Sequence, residues 1–211
     1  VRQEWQYDTL GNITFNTHRG TYHYEDPAHP MRVTKVTGGG VGTTRVYAYD
    51  AVGNQTGRPG AEVVYNERNL PARLLRPDGT TVASFLYGPG GERVRKASPT
   101  GSVTSVRGMY ELHRNGTNIE HRLIVPGIAI LSYKQGGNVV TRQAERYLHT
   151  DHLGSTIAIT ADDDPGTGLK ATMKEVRSYD AFGLTRNPDW KSGRYAGVAP
   201  ALSVQGYTGH N

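Results

Sequence analysis

Apolar and polar residues alternate along this chain only over short stretches, and each stretch ends in a turn. Gly, Pro, Asn or Asp interrupts nearly every window before apolar residues spaced i, i+3, i+4 can complete two helical turns. The dominant period is two, which belongs to strands. Segments 20–24, 32–37, 44–49, 82–87 and 103–107 are rich in aromatic and β-branched residues and bounded by turn residues, so a strand is predicted in each. Arg122 to Tyr133 is the most apolar run, and Pro126-Gly127 divides it into two expected buried strands around a turn. Another strand is expected over 142–148. Segments 155–160 and 174–179 read as a hairpin whose loop is the polar stretch Asp162 to Gly168.

One turn recurs along the chain. It stands at Tyr7-Asp8-Thr9-Leu10-Gly11-Asn12, at Tyr49-Asp50-Ala51-Val52-Gly53-Asn54 and at Tyr179-Asp180-Ala181-Phe182-Gly183. Asp favours the first position of a type I turn, and Gly at the fourth can take the left-handed backbone that forms a hairpin bulge. The preceding Tyr then ends a strand. Tyr65-Asn66-Glu67-Arg68-Asn69 and Tyr87-Gly88-Pro89-Gly90-Gly91 are weaker copies, with Asn at both special positions or Pro at the second. Asp151-His152-Leu153-Gly154 keeps the turn, but its tyrosine, Tyr147, lies four residues before the aspartate. Tyr7, Tyr24, Tyr49, Tyr65 and Tyr87 fall 17, 25, 16 and 22 residues apart, which suits one hairpin per unit with loops of varying length. Tyrosines at equivalent strand ends are expected to form a cross-strand ladder with their hydroxyls wet.

Composition agrees with this picture. The chain holds 27 Gly, 11 Pro and 13 Tyr against 3 Phe and 3 Met, the profile of short aromatic strands between many turns. Its hydrophobic share of 36%, in a count without Gly, argues against a single thick core. The charge of +5 is dispersed. Its densest basic run is Arg93-Val94-Arg95-Lys96, where alternation puts Arg93 and Arg95 on one solvated face, and no aromatics interleave with clustered bases. A nucleic-acid partner is therefore not expected. Without cysteine there is no disulfide frame, and no run reaches the roughly 18 apolar residues of a membrane span. The start at Val1 lacks both an initiator Met and the apolar core of a signal peptide, so the chain is read as cut from something longer.

Candidate chemistry is thin. His149, Asp151 and His152 imitate a metal or acid/base site. On a strand His149 and Asp151 would share a face while His152 points away, and Asp151 is better used opening a turn. Asp162-Asp163-Asp164 offers carboxylates for calcium but lacks an ordered ligand series ending in Glu, and reads as a solvated loop. Gly38-Gly39-Gly40-Val41-Gly42 has no Lys-Ser/Thr after it and reads as a flexible loop. Ser155 lacks a Gly-x-Ser-x-Gly elbow. No catalytic, cofactor-binding or metal-binding residue is nominated. Trp5, Trp190 and the tyrosines are expected to pack across strands, and a carbohydrate-binding aromatic face is the alternative.

On these residues the chain resembles the RHS/YD-repeat family, whose units carry a Tyr-Asp-x-x-Gly-Asn core, matched at 7–12 and 49–54. The ordered series Tyr147 to Thr156, Ser178 to Gly183 and Gly206-Tyr207-Thr208-Gly209-His210 is similar to the family's core region near the end of its shell. The resemblance implies an all-β fold of repeated antiparallel hairpins forming part of a spiralling sheet. It divides the chain into YD-repeat hairpins over 1–146 and a core segment over 147–211, continuous with the same sheet. It further implies a secreted or cell-surface bacterial shell that encapsulates or displays a C-terminal effector toxin, with any self-cleaving or toxic activity outside these residues. Such a segment is a scaffold and not an enzyme. Its expected partners are the remainder of the shell, the enclosed effector, and other copies through open sheet edges. An adhesin contacting carbohydrate or a cell-surface receptor is the rival reading. Over 88–146 no intact Tyr-Asp unit occurs, although Tyr110-Glu111 stands where one could sit, so longer strands or a bulged sheet are expected there.

Overall fold

A computed structural model describes residues 4–39, 44–162, 172–179, 183 and 185–187. Among them every regular element is a strand, and every register-resolved pairing is antiparallel. The chain forms two compact units, residues 2–86 with 97–99, and residues 87–96 with 100–211.

The first unit opens with β1 (Trp5–Tyr7), β2 (Ile13–Asn16), β3 (Gly20–His23), β4 (Lys35–Thr37) and β5 (Arg45–Val46), which pair in that order. There follow β6 (Ala48–Tyr49), β7 (Gln55–Arg58), β8 (Ala61–Tyr65), β9 (Pro71–Leu75) and β10 (Thr81–Tyr87), again each beside the next. Sequence neighbours are thus space neighbours. The strand predicted from Arg32 begins only at Lys35, because Arg32 still closes the preceding loop by donating its N–H to the His29 carbonyl at 2.9 Å.

In the second unit the strands lengthen: β11 (Arg93–Ser98), β12 (Gly101–Val106), β13 (Tyr110–Asn115), β14 (Asn118–Val125), β15 (Ala129–Gly136), β16 (Val139–Thr150), β17 (Thr156–Asp162) and β18 (Thr172–Val176). They too pair in sequence order. A short ribbon of β19 (Ser178–Tyr179) and β20 (Thr185–Arg186) follows. The stretch without Tyr-Asp units therefore holds longer strands, with β16 reaching 12 residues and a bulge facing Ser132 and Tyr133. Tyr110-Glu111 is not a turn unit. Tyr110 begins β13, after a tight turn in which Arg107 and Gly108 both take positive φ, and Glu111 lies within the strand. The expected pair 155–160 and 174–179 meets as β17 against β18, with Ala158 opposite Val176 and Ile159 opposite Glu175. Most of its loop lies outside the described residues.

The core is small. Ile130, Leu148 and Ile159 pack together with Ile124 against them, and Ile159 is fully buried. Directly opposite residues share a face, so Ile124, Ile130, Leu148 and Ile159 lie with Glu111, Arg122, Ser132, Ala144 and Arg146 on one side of β13 to β17. The two strands expected buried around Pro126-Gly127 are covered chiefly on that side: on the other, Leu123 and Val125 remain more than 40% exposed although Ala129, opposite Val125, is buried. Charges of the covered face are paired along their strands, Glu111 with His113 at 2.7 Å and Glu120 with Arg122 at 2.8 Å, while Glu175 of β18 pairs at 2.6 Å with Arg177 just past the strand's end. Residues two apart on a strand point the same way, so each pair forms without disturbing the backbone. The His113 hydrogen bond outweighs burial and holds the Glu111 carboxyl below its ordinary pKa.

Candidate functional site

The feature that repeats through both units is a closed turn. At Asp8 the N–H donates to the Asn12 carbonyl at 3.0 Å and the carbonyl accepts from Gly11 N–H at 3.1 Å. Asp50 with Asn54 and Gly53, Asn66 with Leu70 and Asn69, Gly88 with Glu92 and Gly91, and Asp151 with Ser155 and Gly154 close in the same way, at 2.9 to 3.2 Å. The fourth residue always has positive φ, from 56° at Asn69 to 97° at Gly53. Asn reaches that region because its short polar side chain tolerates it. A further turn of the type, Arg76-Pro77-Asp78-Gly79-Thr80, was missed in the sequence because Arg takes the first position. Its signal was the Pro-Asp-Gly run.

An acidic or amide side chain at the first position does more than favour the turn. Oδ1 of Asp8 accepts from the backbone N–H of Leu10 at 2.9 Å and of Asn12 at 2.8 Å, and Asp50, Asn66 and Asp151 repeat this pair of bonds. The second oxygens of Asp8 and Asp50 accept from the side-chain amides of Asn12 and Asn54, both at 2.8 Å. Those amides then reach onward. Asn12 Nδ2 donates to the Pro30 carbonyl at 3.2 Å and Asn54 Nδ2 to Asn69 Oδ1 at 3.0 Å, which joins each turn to the next loop along the same sheet margin.

The tyrosines complete this joint. Tyr24 donates its hydroxyl to the Ile13 carbonyl at 2.9 Å, Tyr49 to Val33 at 2.8 Å, Tyr65 to Gln55 at 3.0 Å and Tyr179 to Thr156 at 2.9 Å. Each acceptor is the residue that follows the preceding loop. For Tyr24, Tyr65 and Tyr179 it stands five positions after the Asp that opens that loop. The hydroxyls were expected to stay wet; they are instead half-buried locks between consecutive hairpins. A guanidinium covers one ring, Arg32 standing 4.9 Å from the centroid of Tyr49. Tyr147 does not play this part. It lies within β16, opposite Ala129 and Thr160, and donates to Glu145 at 2.9 Å.

His149 bonds Thr160 Oγ1 at 3.1 Å, and Asp151 is occupied by its turn, so the sequence's best imitation of a metal site serves hairpin geometry. Gly183 has the positive φ of a fourth turn residue, 80°. Asp180, Gly206, Tyr207, Gly209, Trp190, Asp163, Asp164 and Gly40 to Gly42 lie outside the described residues.

These bonds set the pH range of the joint. The Asn12 and Asn54 side-chain amides, against burial and with the turn N–H groups, hold Asp8 and Asp50 below 3.8. At Asp151 burial pushes upward, yet the N–H groups of Ser155 and Leu153 and the other turn contacts bring the net shift down. A depressed carboxylate stabilises above its unfolded pKa, and that contribution vanishes as pH falls through the folded value. Burial raises Tyr24 and Tyr179 above 10.0, so their contribution is present below that value and lost as pH rises through the folded one. The urea midpoint is therefore expected to fall at both extremes. The double variant Asp8→Asn, Asp50→Asn, which keeps the Oδ1 acceptors as Asn66 does, is expected to flatten the acid limb. An unchanged acid limb in that variant would refute the assignment.

Successive antiparallel hairpins paired in sequence order define the class: an all-β fold of repeated antiparallel hairpins. No family model and no curated protein matches the chain. Among solved structures it is similar to the crystal structure of TcdB2-TccC3, with a TM-score of 0.56 and 15% identity over 98% of this chain and 13% of that one. The crystal structure of TcdB2-TccC3-Cdc42 gives 0.54 and 15% over 98% and 13%. The Tc holotoxin pore of Photorhabdus luminescens gives 0.53 and 15% over 92% and 12%. At this identity the likeness is one of fold, and the chain spans little more than a tenth of each neighbour.

Proposed function

We propose that the chain is a structural segment of a larger secreted shell that encloses or displays an effector polypeptide, and that it carries out no catalysis itself. The observation that carries this reading is the addition of hairpins in sequence order, with Tyr24, Tyr49, Tyr65 and Tyr179 each tied to the preceding loop, in a fold similar to Tc toxin assemblies along nearly the whole chain. An array of this kind has no built-in end, which suits a wall more than a pocket. Leu123, Val125, Tyr147 and Met173 leave exposed apolar surface opposite the Ile130–Leu148–Ile159 cluster, where another polypeptide could be covered.

Limited proteolysis of the natural assembly tests the reading. The effector is expected to survive protease concentrations that digest it alone, and to lose that protection when Ile159→Ala loosens the sheet. Equal digestion with and without the shell would overturn enclosure. Retention of the isolated chain on immobilised glycans would favour the adhesin.

A further inference from the structure

On the covered face of the second unit, charges along β13 and β14 find partners within their own strands, Glu111 with His113 and Glu120 with Arg122. Two cations of β11 do not. Arg93 and Lys96 line a cleft of about 390 Å³ whose wall includes Ser105, Glu111 and His113, and neither makes a hydrogen bond or an ion pair among the described residues. Glu111 is the buried member of that wall, only 8% exposed. Register sets it opposite Ser105 on β12 and Arg122 on β14. Its bond with His113 uses Oε2 alone, and because an ionised carboxylate only accepts, His113 Nε2 is the donor. Oε1 has no hydrogen-bond partner among the described residues, although the side chain lines the cleft. The Arg93 charge reaches Glu111 without touching it and helps to keep the carboxyl ionised, after the larger effect of His113.

The cleft thus offers two unpaired cations, a hydroxyl and one unused carboxylate oxygen. Cations alone would accept any anion. The carboxylate narrows the choice, because it repels an anion made only of acceptors and is satisfied by one that also carries an O–H. We infer that the cleft over β11 to β13 is a binding site for inorganic phosphate, held by Arg93 and Lys96 and selected by Glu111. The charged oxygens of monohydrogen phosphate accept from the Arg93 guanidinium, whose planar fork suits a pair of oxygens, from the Lys96 ammonium and from the Ser105 hydroxyl. Its O–H donates to Glu111 Oε1. Sulfate has the same shape and charge but no proton to give, so it would set its acceptors against the carboxylate. Binding here needs no chemical step and does not depend on whether the chain encloses an effector.

Titration of the full chain with sodium phosphate and with sodium sulfate, at neutral pH and fixed ionic strength, tests the site by heat of binding. Phosphate is expected to bind about tenfold or more tightly than sulfate, the equivalent of one hydrogen bond to a charged group. Arg93→Gln and Lys96→Gln are each expected to weaken phosphate binding by roughly ten- to a hundredfold. Both side chains are exposed, so the urea midpoint should hold. Arg95→Gln removes a cation of the same strand that does not line the cleft and is expected to leave the affinity unchanged. Glu111→Gln replaces the selecting oxygen pair by an amide that can also donate, and is expected to abolish the preference while sulfate still binds, which shows the cleft intact. Absence of saturable phosphate binding would overturn the site. Equal affinity for the two anions in the unaltered chain would overturn selection by Glu111, and a loss at Arg95→Gln as large as at Arg93→Gln would mean diffuse attraction of an adventitious ion only. Failure of effector protection in the proteolysis experiment would leave these outcomes untouched, so the two readings fall separately.

Discussion

Replacing Ile159 by alanine is expected to destabilise the second unit by about 2–5 kcal/mol, the usual cost of removing a large aliphatic side chain from a core. Ile159 is fully buried and lies opposite Leu148, with Ile130 and Ile124 completing the cluster. A wide sheet with so few buried aliphatic side chains has little with which to refill the space. The neighbours across the face are also fixed: Ser132 accepts from Arg146 at 3.1 Å, and Arg177 is held by Glu175. Collapse of the cavity is therefore restricted, which places the loss toward the upper part of the range. Ile157→Ala, at a position 39% exposed, is the control and is expected to cost well under half as much. Urea titration followed by circular dichroism checks both. A midpoint that falls equally in the two variants would mean that the Ile130–Leu148–Ile159 cluster is not what holds the second unit together.

That cluster was hard to see in advance, and the reason lies in its face. The strand period of two shows best when one side is apolar and the other polar. Here the covered side of β13 to β17 alternates Ile130 and Leu148 with Ser132, Arg146, Glu111 and Arg122, while the other side exposes Leu123 and Val125. Strand existence survived this mixing, because aromatic and β-branched residues still mark it. Strand length did not, and 142–148 stood for what is Val139–Thr150. The turns fared differently. Asp8 and Gly11, or Asp50 and Gly53, act within six residues of one another, so their chemistry is local and legible. The locks are not local. Which carbonyl Tyr24 or Tyr65 meets depends on which strand lies ahead in the sheet, and neither Ile13 nor Gln55 has a side chain that advertises its backbone oxygen. Tyr147 shows the converse, a tyrosine in an apt sequence context that the strand register places away from any turn.

The second large effect is expected at Gly20, where two independent demands fall on one residue. Gly20 opens β3 with φ at +96°, a region L side chains enter at a cost of about 1–2 kcal/mol. A Cβ there would also stand 2.0 Å from the Thr37 carbonyl oxygen and 2.8 Å from Gly39 N, both of them backbone atoms. Backbone cannot turn aside as a flexible side chain does, so the strand end at Thr37 and the glycines after it would have to move. Overpacking of this kind typically adds about 1–3 kcal/mol. Gly20→Ala is thus expected to cost about 2–5 kcal/mol and to disrupt the pairing of β3 with β4. Gly11→Ala separates the two causes. Gly11 has a similar φ of +83° but nothing within 4 Å of its would-be Cβ, so only the conformational part, about 1–2 kcal/mol, should appear. Thermal unfolding of both variants, with amide exchange at Tyr22 and Val36 to report on the β3–β4 pair, measures the difference. Equal losses at the two positions would show that the close approach of residues 37–39 to Gly20 does not constrain the fold. A larger loss at Gly20, with exchange accelerated at Tyr22 and Val36, would show that this glycine lets the chain turn back upon its own hairpin.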